Sequence, residues 1–148
     1  MSNLITNKKA TFNYEILERF EAGVELFGFE VKALRAKLGN LAGAYVIIRG
    51  GEVFLVGAHI SPYQPKNTPT DYEPERARKL LLTKKEIAKL ERELNTAGLT
   101  LVPIKWYSKY GKLKLEIALV RGKKKADKRE SIKARDTKRD LDRELKRG

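Results

Sequence analysis

The sequence predicts a mainly β protein, a small closed or partly open barrel with flanking helices and a polycationic tail. Three observations predict it. Short apolar runs alternate with polar residues at period two and are joined by tight connections containing glycine. Only one segment carries a complete helix-start signal. The 28 residues from Arg121 to Gly148 hold 13 Lys or Arg against 6 Asp or Glu, and no aromatic residue. Such a segment has too little apolar surface to offset its ordering entropy.

Taken in order, residues 1 to 9 read as polar and loose. Phe12, Tyr14, Ile16 and Phe20 then fall on alternate positions, with Glu18 the exception, and predict a strand. Glu21-Ala22-Gly23 breaks that pattern. Val24, Leu26, Phe27, Phe29 and Val31 predict more strand, and Gly39-Asn40 a turn or a short helix start. Residues 44–49 and 53–60 are β-rich runs either side of Gly50-Gly51, a hairpin signal because tight hairpin turns need positive φ. Residues 61–75, SPYQPKNTPTDYEPE, contain four of the five prolines and read as a long loop.

One helix is fully signposted. Thr83 and Glu86 form a capping box, Leu82 and Ile87 a hydrophobic staple, and Ile87, Leu90 and Leu94 a buried face. Gly98 is the expected left-handed stop. A second hairpin joins 99–106 to 112–120 across Ser108-Lys109-Tyr110-Gly111. Leu113, Leu115, Ile117 and Leu119 face the core, opposite Lys112, Lys114 and Glu116. The total is five or six strands, one firm helix and two shorter ones. The division is a barrel domain over 1–120 and a basic tail over 121–148.

The formal charge is +13, of which the tail carries +7 and residues 1–120 carry +6. Both parts favour an anionic partner. The tail's apolar residues, Ala126, Ile132, Ala134, Leu141 and Leu145, share no helical face, since Ile132 and Leu141 point to opposite sides. It can order against a polyanion through counterion release, and it lacks the apolar face that holds a helix in lipid. Nucleic acid, not membrane, is the indicated partner. Within the tail, Asp142–Lys146 favours helix, while Asp136–Asp140 and Arg135–Arg139 oppose it. The expectation is a tail intrinsically disordered when free and helical only against RNA.

With no cysteine there are no disulfides, thiolate zinc sites or catalytic thiols. MSNLITNKKA lacks an apolar run of signal-peptide length, and no segment is long enough to span a bilayer. The expectation is a soluble, cytoplasmic, non-enzymatic protein with no cofactor and no metal. His59, the single histidine, has no acid or second ligand near it in sequence and reads as a packed or surface residue. The sharpest enzymatic alternative is Glu30-Val31-Lys32. Glu-x-Lys on a strand can serve a metal-dependent nuclease, the carboxylate binding the cation and the lysine stabilising developing charge.

The basic-aromatic segments carry more weight. Arg76, Arg78 and Lys79 precede three leucines, and Lys105, Trp106, Tyr107, Lys109, Tyr110 and Lys112 interleave cations with rings. Barrel proteins that hold RNA use this mixture, with cations on phosphates and rings on bases. Leu80, Leu81 and Leu82 are more than one helix face can bury, so at least one is expected to be exposed.

The ordered set Asn7-Lys8-Lys9-Ala10, Phe20-Glu21-Ala22-Gly23, Glu30-Val31-Lys32, Leu34-Arg35, Asn40-Leu41, Gly51-Glu52, His59-Ile60-Ser61, Arg78-Lys79-Leu80-Leu81-Leu82, Leu101-Val102-Pro103, Gly122-Lys123-Lys124 and Asp127-Lys128-Arg129 closely resembles the small protein B (SmpB) family. These are the bacterial proteins that bind transfer-messenger (SsrA) RNA. The resemblance runs from about Asn7 to Asp136 in one register. It implies an oligonucleotide-binding-type β-barrel and a role in trans-translation as a monomer. The body would bind the tRNA-like domain, and the tail would enter the empty mRNA channel beside the decoding centre of the small ribosomal subunit. Elongation factor Tu would join the delivery complex. A ribosomal protein with an rRNA-threading tail is the alternative within the same broad class.

By resemblance, Asn7, Glu21, Leu81 and the cations Lys8, Lys9, Lys32, Arg35, Arg76, Arg78 and Lys79 look like the RNA-binding surface of the body. Lys105 and Tyr107 join them from the second hairpin. Lys123, Lys124, Asp127, Lys128, Arg129, Lys133, Arg135 and Asp136 look like the tail determinants. Three places depart from the family pattern. Phe29 stands where Thr or Trp is common, TDYEPE (70–75) replaces a His-Asp-Pro element, and DLDRELKRG lacks the Trp that many relatives carry.

Overall fold

The computed structural model describes residues 2–122. The expectations for the tail residues Lys123, Lys124, Asp127, Lys128, Arg129, Lys133, Arg135 and Asp136 lie outside the described residues.

The barrel is a ring of six antiparallel strands. β2 (Tyr14–Val24) pairs from Tyr14 to Ala22 with β9 (Lys112–Gly122), and β9 with β8 (Leu99–Lys109). β8 meets β4 (Tyr45–Arg49) at Leu101 and Val46, and β4 forms a hairpin with β5 (Glu52–Val56). β5 pairs with β7 (Arg78–Leu81), which returns to β2 through Gly23 and Leu81 and closes the ring. Gly50 and Gly51 both have positive φ, 60° and 75°, which places the expected two-residue turn between Arg49 and Glu52. Inside lie Phe20, Val53, Leu55, Leu80, Leu101, Trp106, Leu115, Ile117 and Leu119. α3 (Lys84–Leu94) seats Leu90 on this core, with Ile87 and Leu94 beside it. The Thr83–Glu86 capping box forms as expected, Glu86 N donating to Thr83 Oγ1 and Thr83 N to Glu86 Oε1.

Several local expectations are corrected. The polar N-terminus is a strand, β1 (Ser2–Thr6), added to the free edge of β8 opposite residues 105–108. An edge strand needs little apolar content, because backbone pairing holds it and only Leu4 and Ile5 reach the core. Phe12 belongs to α1 (Lys8–Asn13), not to a strand. α1 exists because β8 and β9 are apolar on both faces here: Val102, Ile104, Ala118 and Val120 form a second cluster outside the barrel, which Ala10 covers. β2 does not break at residues 21–23 but continues to Val24.

Residues 25–31 are not a strand. α2 (Gly28–Arg35) buries Glu30, Ala33 and Leu34, a spacing of three and four that belongs to a helix. The apparent alternation of Phe27, Phe29 and Val31 reflects an aromatic patch instead. Gly39–Asn40 is a short strand, β3, paired with His59–Ile60 (β6), and β5 stops at Val56 rather than running to residue 60. Helix α3 ends at Leu94 with Asn95 as its cap, so Gly98 (φ 85°) serves the following turn rather than the helix end. Finally, β8 and β9 are joined by Tyr110-Gly111 alone, since Lys109 already pairs with Lys112, and β9 runs two residues past the expected boundary at 120.

Candidate nucleic-acid interface

Strand alternation sends every second side chain of β2, β7, β8 and β9 outward. On β2 these are Arg19, Glu21 and Gly23. Opposite Gly23 stands Leu81, half exposed at 50%, although it is the middle of three leucines. Its neighbour Leu80 is buried, as strand geometry dictates. Gly23 makes room for it: a Cβ there would come within 3.3 Å of Leu81 Cβ. An exposed leucine therefore lies flat across a bare stretch of backbone.

Beside it runs a polar lattice. Glu21 accepts a hydrogen bond from the Tyr107 hydroxyl and lies 3.3 Å from Lys109 Nζ. Glu116 pairs with Arg19 and, at 3.8 Å, with Lys105 Nζ, which stands 5.7 Å from the Tyr107 ring. The Tyr107 hydrogen bond holds the Glu21 carboxyl below its ordinary range against partial burial, with Lys109 and Lys114 assisting. The same contact, after burial, pushes the Tyr107 phenol upward. Glu21 is thus a fixed anion that organises the surrounding cations. Arg19, Lys105, Lys109 and Lys114 outnumber Glu21 and Glu116, so the face is net positive. Beside it lies a half-exposed apolar side chain, Leu81.

The other expected residues lie elsewhere. Lys79, on β7 next to Leu81, bridges to Glu52 at 3.3 Å. Lys32 is exposed on α2, and Arg35 at the end of that helix donates to the Gly111 carbonyl at 2.8 Å, tying α2 to the hairpin tip. Lys8 and Lys9 are exposed on α1. Lys9 borders a groove of about 420 Å³ with Asn13, Tyr14 and the half-exposed Tyr45. Tyr14 pairs with Gly122, so β9 ends beside that groove.

Three expected contact residues turn their side chains into the protein. Asn7 is buried; its carboxamide donates to the carbonyls of Pro103 (2.9 Å) and Leu41 (3.3 Å), and its backbone N–H to Ile104. It fastens α1 and β1 to the barrel. Tyr107 is only 4% exposed, so its ring has no free face for a base. Arg78 is fully buried. It donates to Glu30 Oε2, to the carbonyls of Ala58 and Pro74 and to the Tyr72 hydroxyl. Arg76 is also largely engaged, forming an ion pair with Glu30 and lying 4.1 Å over the Phe27 ring.

This lock overturns the strand reading of Glu30-Val31-Lys32. Glu30 sits on a helix and is fully buried. One carboxylate oxygen takes Arg76 and the Phe27 N–H; the other takes both arginines and the Tyr72 hydroxyl. No lone pair is left facing solvent for a cation. Among the described residues no group of three metal-ligating side chains comes together, and no helix is long and apolar enough to cross a membrane. His59 is a surface residue whose Nε2 lies 3.1 Å from Ser61 Oγ. Two of the departures from the family pattern touch each other. Phe29 and Tyr72 meet edge to face at 4.8 Å, and Phe27 stacks on Phe29 at 5.4 Å. The two departures thus share one contact.

Comparison with known proteins places the chain as a whole. The SmpB protein family model matches residues 4–147. The SsrA-binding protein of Syntrophobacter fumaroxidans is 52% identical over 141 residues, covering 95% of this chain and 87% of that protein. Those of Trichormus variabilis (51% over 140 residues, 95% and 90% covered) and Gloeothece citriformis (50% over 147 residues, 99% and 95% covered) are similar to the same degree. Among solved structures, a chain from "tmRNA-SmpB: a journey to the center of the bacterial ribosome" superimposes with a TM-score of 0.69. It is 39% identical, and the match covers 88% of this chain and 95% of that one.

Proposed function

The chain belongs to the SmpB protein family, and we propose from that premise that it is a non-enzymatic RNA-binding factor of trans-translation. It binds the tRNA-like domain of transfer-messenger RNA and brings that RNA, with elongation factor Tu, to the A site of stalled ribosomes. The observation that carries this reading is the extent of the match, which runs from β1 through the basic tail at 50–52% identity. The barrel fold alone would leave the tail out; the family model takes it in.

In this reading the work divides at Gly122. The body grips RNA through the face organised by Glu21, with Leu81 as the apolar contact and Lys105, Lys109 and Lys114 on phosphates. Lys32, Arg35 and Lys79 flank it. Asn7, Arg78 and Tyr107 act from beneath by holding the frame. Lys9 borders the groove beside the end of β9, and Lys8 is exposed on the same helix. The tail, through Lys123, Lys124, Lys128, Arg129, Lys133 and Arg135, with Asp127 and Asp136, reads the vacant mRNA channel and becomes helical there. The factor acts in the cytoplasm, as a monomer.

The test is competitive binding at near-physiological salt. Full-length protein and a truncation ending at Gly122 are titrated with labelled transfer-messenger RNA against bulk tRNA. Tight, selective binding by both supports the division of labour. Selectivity that disappears with the tail, or equal competition by tRNA, refutes it. A fixed stoichiometric place in every ribosome would favour a ribosomal protein instead.

A further inference from the structure

The tip of the β8–β9 hairpin carries a residue that its turn does not want. Tyr110 and Gly111 both have positive φ, 51° and 73°, and are the two central residues of a tight turn closed by Lys109 and Lys112. Turns of this kind take Asn, Asp or Gly at the first position, because a side chain with a bulky Cβ substituent is strained there. Lys37 is the other non-glycine residue with positive φ among those described, and it follows the end of α2, where such a conformation is routine.

Tyr110 gains almost no burial in return for that strain. It is 92% exposed, the most open of the large apolar residues among those described. The pedestal beneath it is rigid. β8 and β9 pair through ten registered positions, and Arg35 of α2 holds the Gly111 carbonyl. The surroundings are cationic. Lys109 Nζ lies 5.9 Å from the ring centroid and also 3.3 Å from Glu21, so the tip is continuous with the face described above. A rigidly presented, solvent-facing aromatic ring among lysines is what stacking on an unpaired base requires.

We propose that Tyr110 is a stacking finger that packs on an unpaired or stack-end nucleobase of the bound RNA, extending the Glu21–Leu81 face to the hairpin tip. This rests on the reading that the body grips the tRNA-like domain. The buried Tyr107, which the sequence groups with Trp106 and Tyr110 among the rings of this hairpin, is its support: it positions Glu21, and Glu21 positions Lys109.

The experiment titrates full-length wild type, Y110F, Y110A and Y110N with a labelled transcript of the tRNA-like domain over a range of salt, and records Tm for each. Y110F should bind within about twofold of wild type, whereas Y110A and Y110N should lose roughly 5- to 150-fold, the range for removing a stacking ring. Their salt slope should stay unchanged, whereas K109A should lower it by about one. Y110N should melt at the wild-type temperature or slightly above, because Asn suits the turn. Y110N binding like wild type would overturn the inference while leaving the functional reading standing. Unchanged RNA affinity with lost activity on stalled ribosomes would also overturn it, pointing to a ribosomal contact. Failure of wild type to bind the transcript selectively would bring down both.

Discussion

Glu30 and Arg78, 48 positions apart in sequence, meet with both side chains fully removed from solvent, Arg78 Nη2 lying 2.6 Å from Glu30 Oε2. The pair pins α2 to the start of β7, and through Pro74 and Tyr72 it also anchors the long proline-rich loop. Removing one partner strands the other as a buried charge. Glu30→Ala or Arg78→Ala should therefore cost about 3–5 kcal/mol, read as a lower urea midpoint, while RNA affinity of the folded fraction falls only modestly.

Acid should act on the same lock. Burial alone would raise the Glu30 carboxyl; the hydrogen bonds from Arg76, the Phe27 N–H and Arg78 outweigh it and hold the group below its ordinary range. A carboxyl depressed in the folded state stabilises at pH above its unfolded value, and that contribution is lost as pH falls through the folded value. Melting temperature should hold between pH 7 and about 5 and then drop. In Glu30→Gln the protein should be weaker at neutral pH and the acid drop shallower. An equally steep drop in the variant would assign acid lability to other carboxylates.

The Tyr107–Glu21 hydrogen bond makes a prediction about charge rather than stability. Tyr107→Phe deletes the donor that does most to hold Glu21 ionised, so the Glu21 carboxyl should titrate at higher pH. Carbon-detected NMR titration of the carboxyls reads this directly. RNA affinity should weaken as well, since Lys109 loses part of its anchor.

Leu81 and Asn7 should separate contact from support. Leu81 is half exposed, so Leu81→Ala should change stability by less than about 1 kcal/mol yet weaken RNA binding several-fold. Asn7→Ala leaves two buried carbonyls short of a donor and should cost about 1–3 kcal/mol. Paired denaturation and binding titrations on the two variants decide this; equal stability losses would mean that Leu81 is a packing residue.

The barrel was legible where apolar alternation and turn chemistry agree. The Gly50-Gly51 hairpin, the capped helix α3 and the core face of β9 all follow from local signals. So does an exposed leucine within 80–82, once the segment is seen as a strand. Where tertiary context decides, the local pattern misleads. The Phe27–Phe29–Val31 alternation imitates a strand because three aromatic rings cluster there, although Glu30, Ala33 and Leu34 already carried the helical spacing. β1 is invisible because an edge strand is held by backbone pairing. The site divides the same way. Composition and resemblance point to Glu21, Leu81 and the lysines, but neither indicates that Asn7, Arg78 and Tyr107 work from inside. Burial of a polar side chain depends on partners distant in sequence, here Leu41, Pro103, Glu30 and Glu21.

β9 is hydrogen-bonded to β8 over residues 112–121 and to β2 over residues 115–122, so both ladders flank it over roughly 20 Å. Tension applied to the C-terminal segment enters the body at Gly122 and runs along that strand. The load is then in shear, shared by two ladders of bonds lying across the pull, rather than peeling one bond at a time. A chain drawn taut between a gripped RNA and an anchored tail would transmit the force through the barrel without opening it.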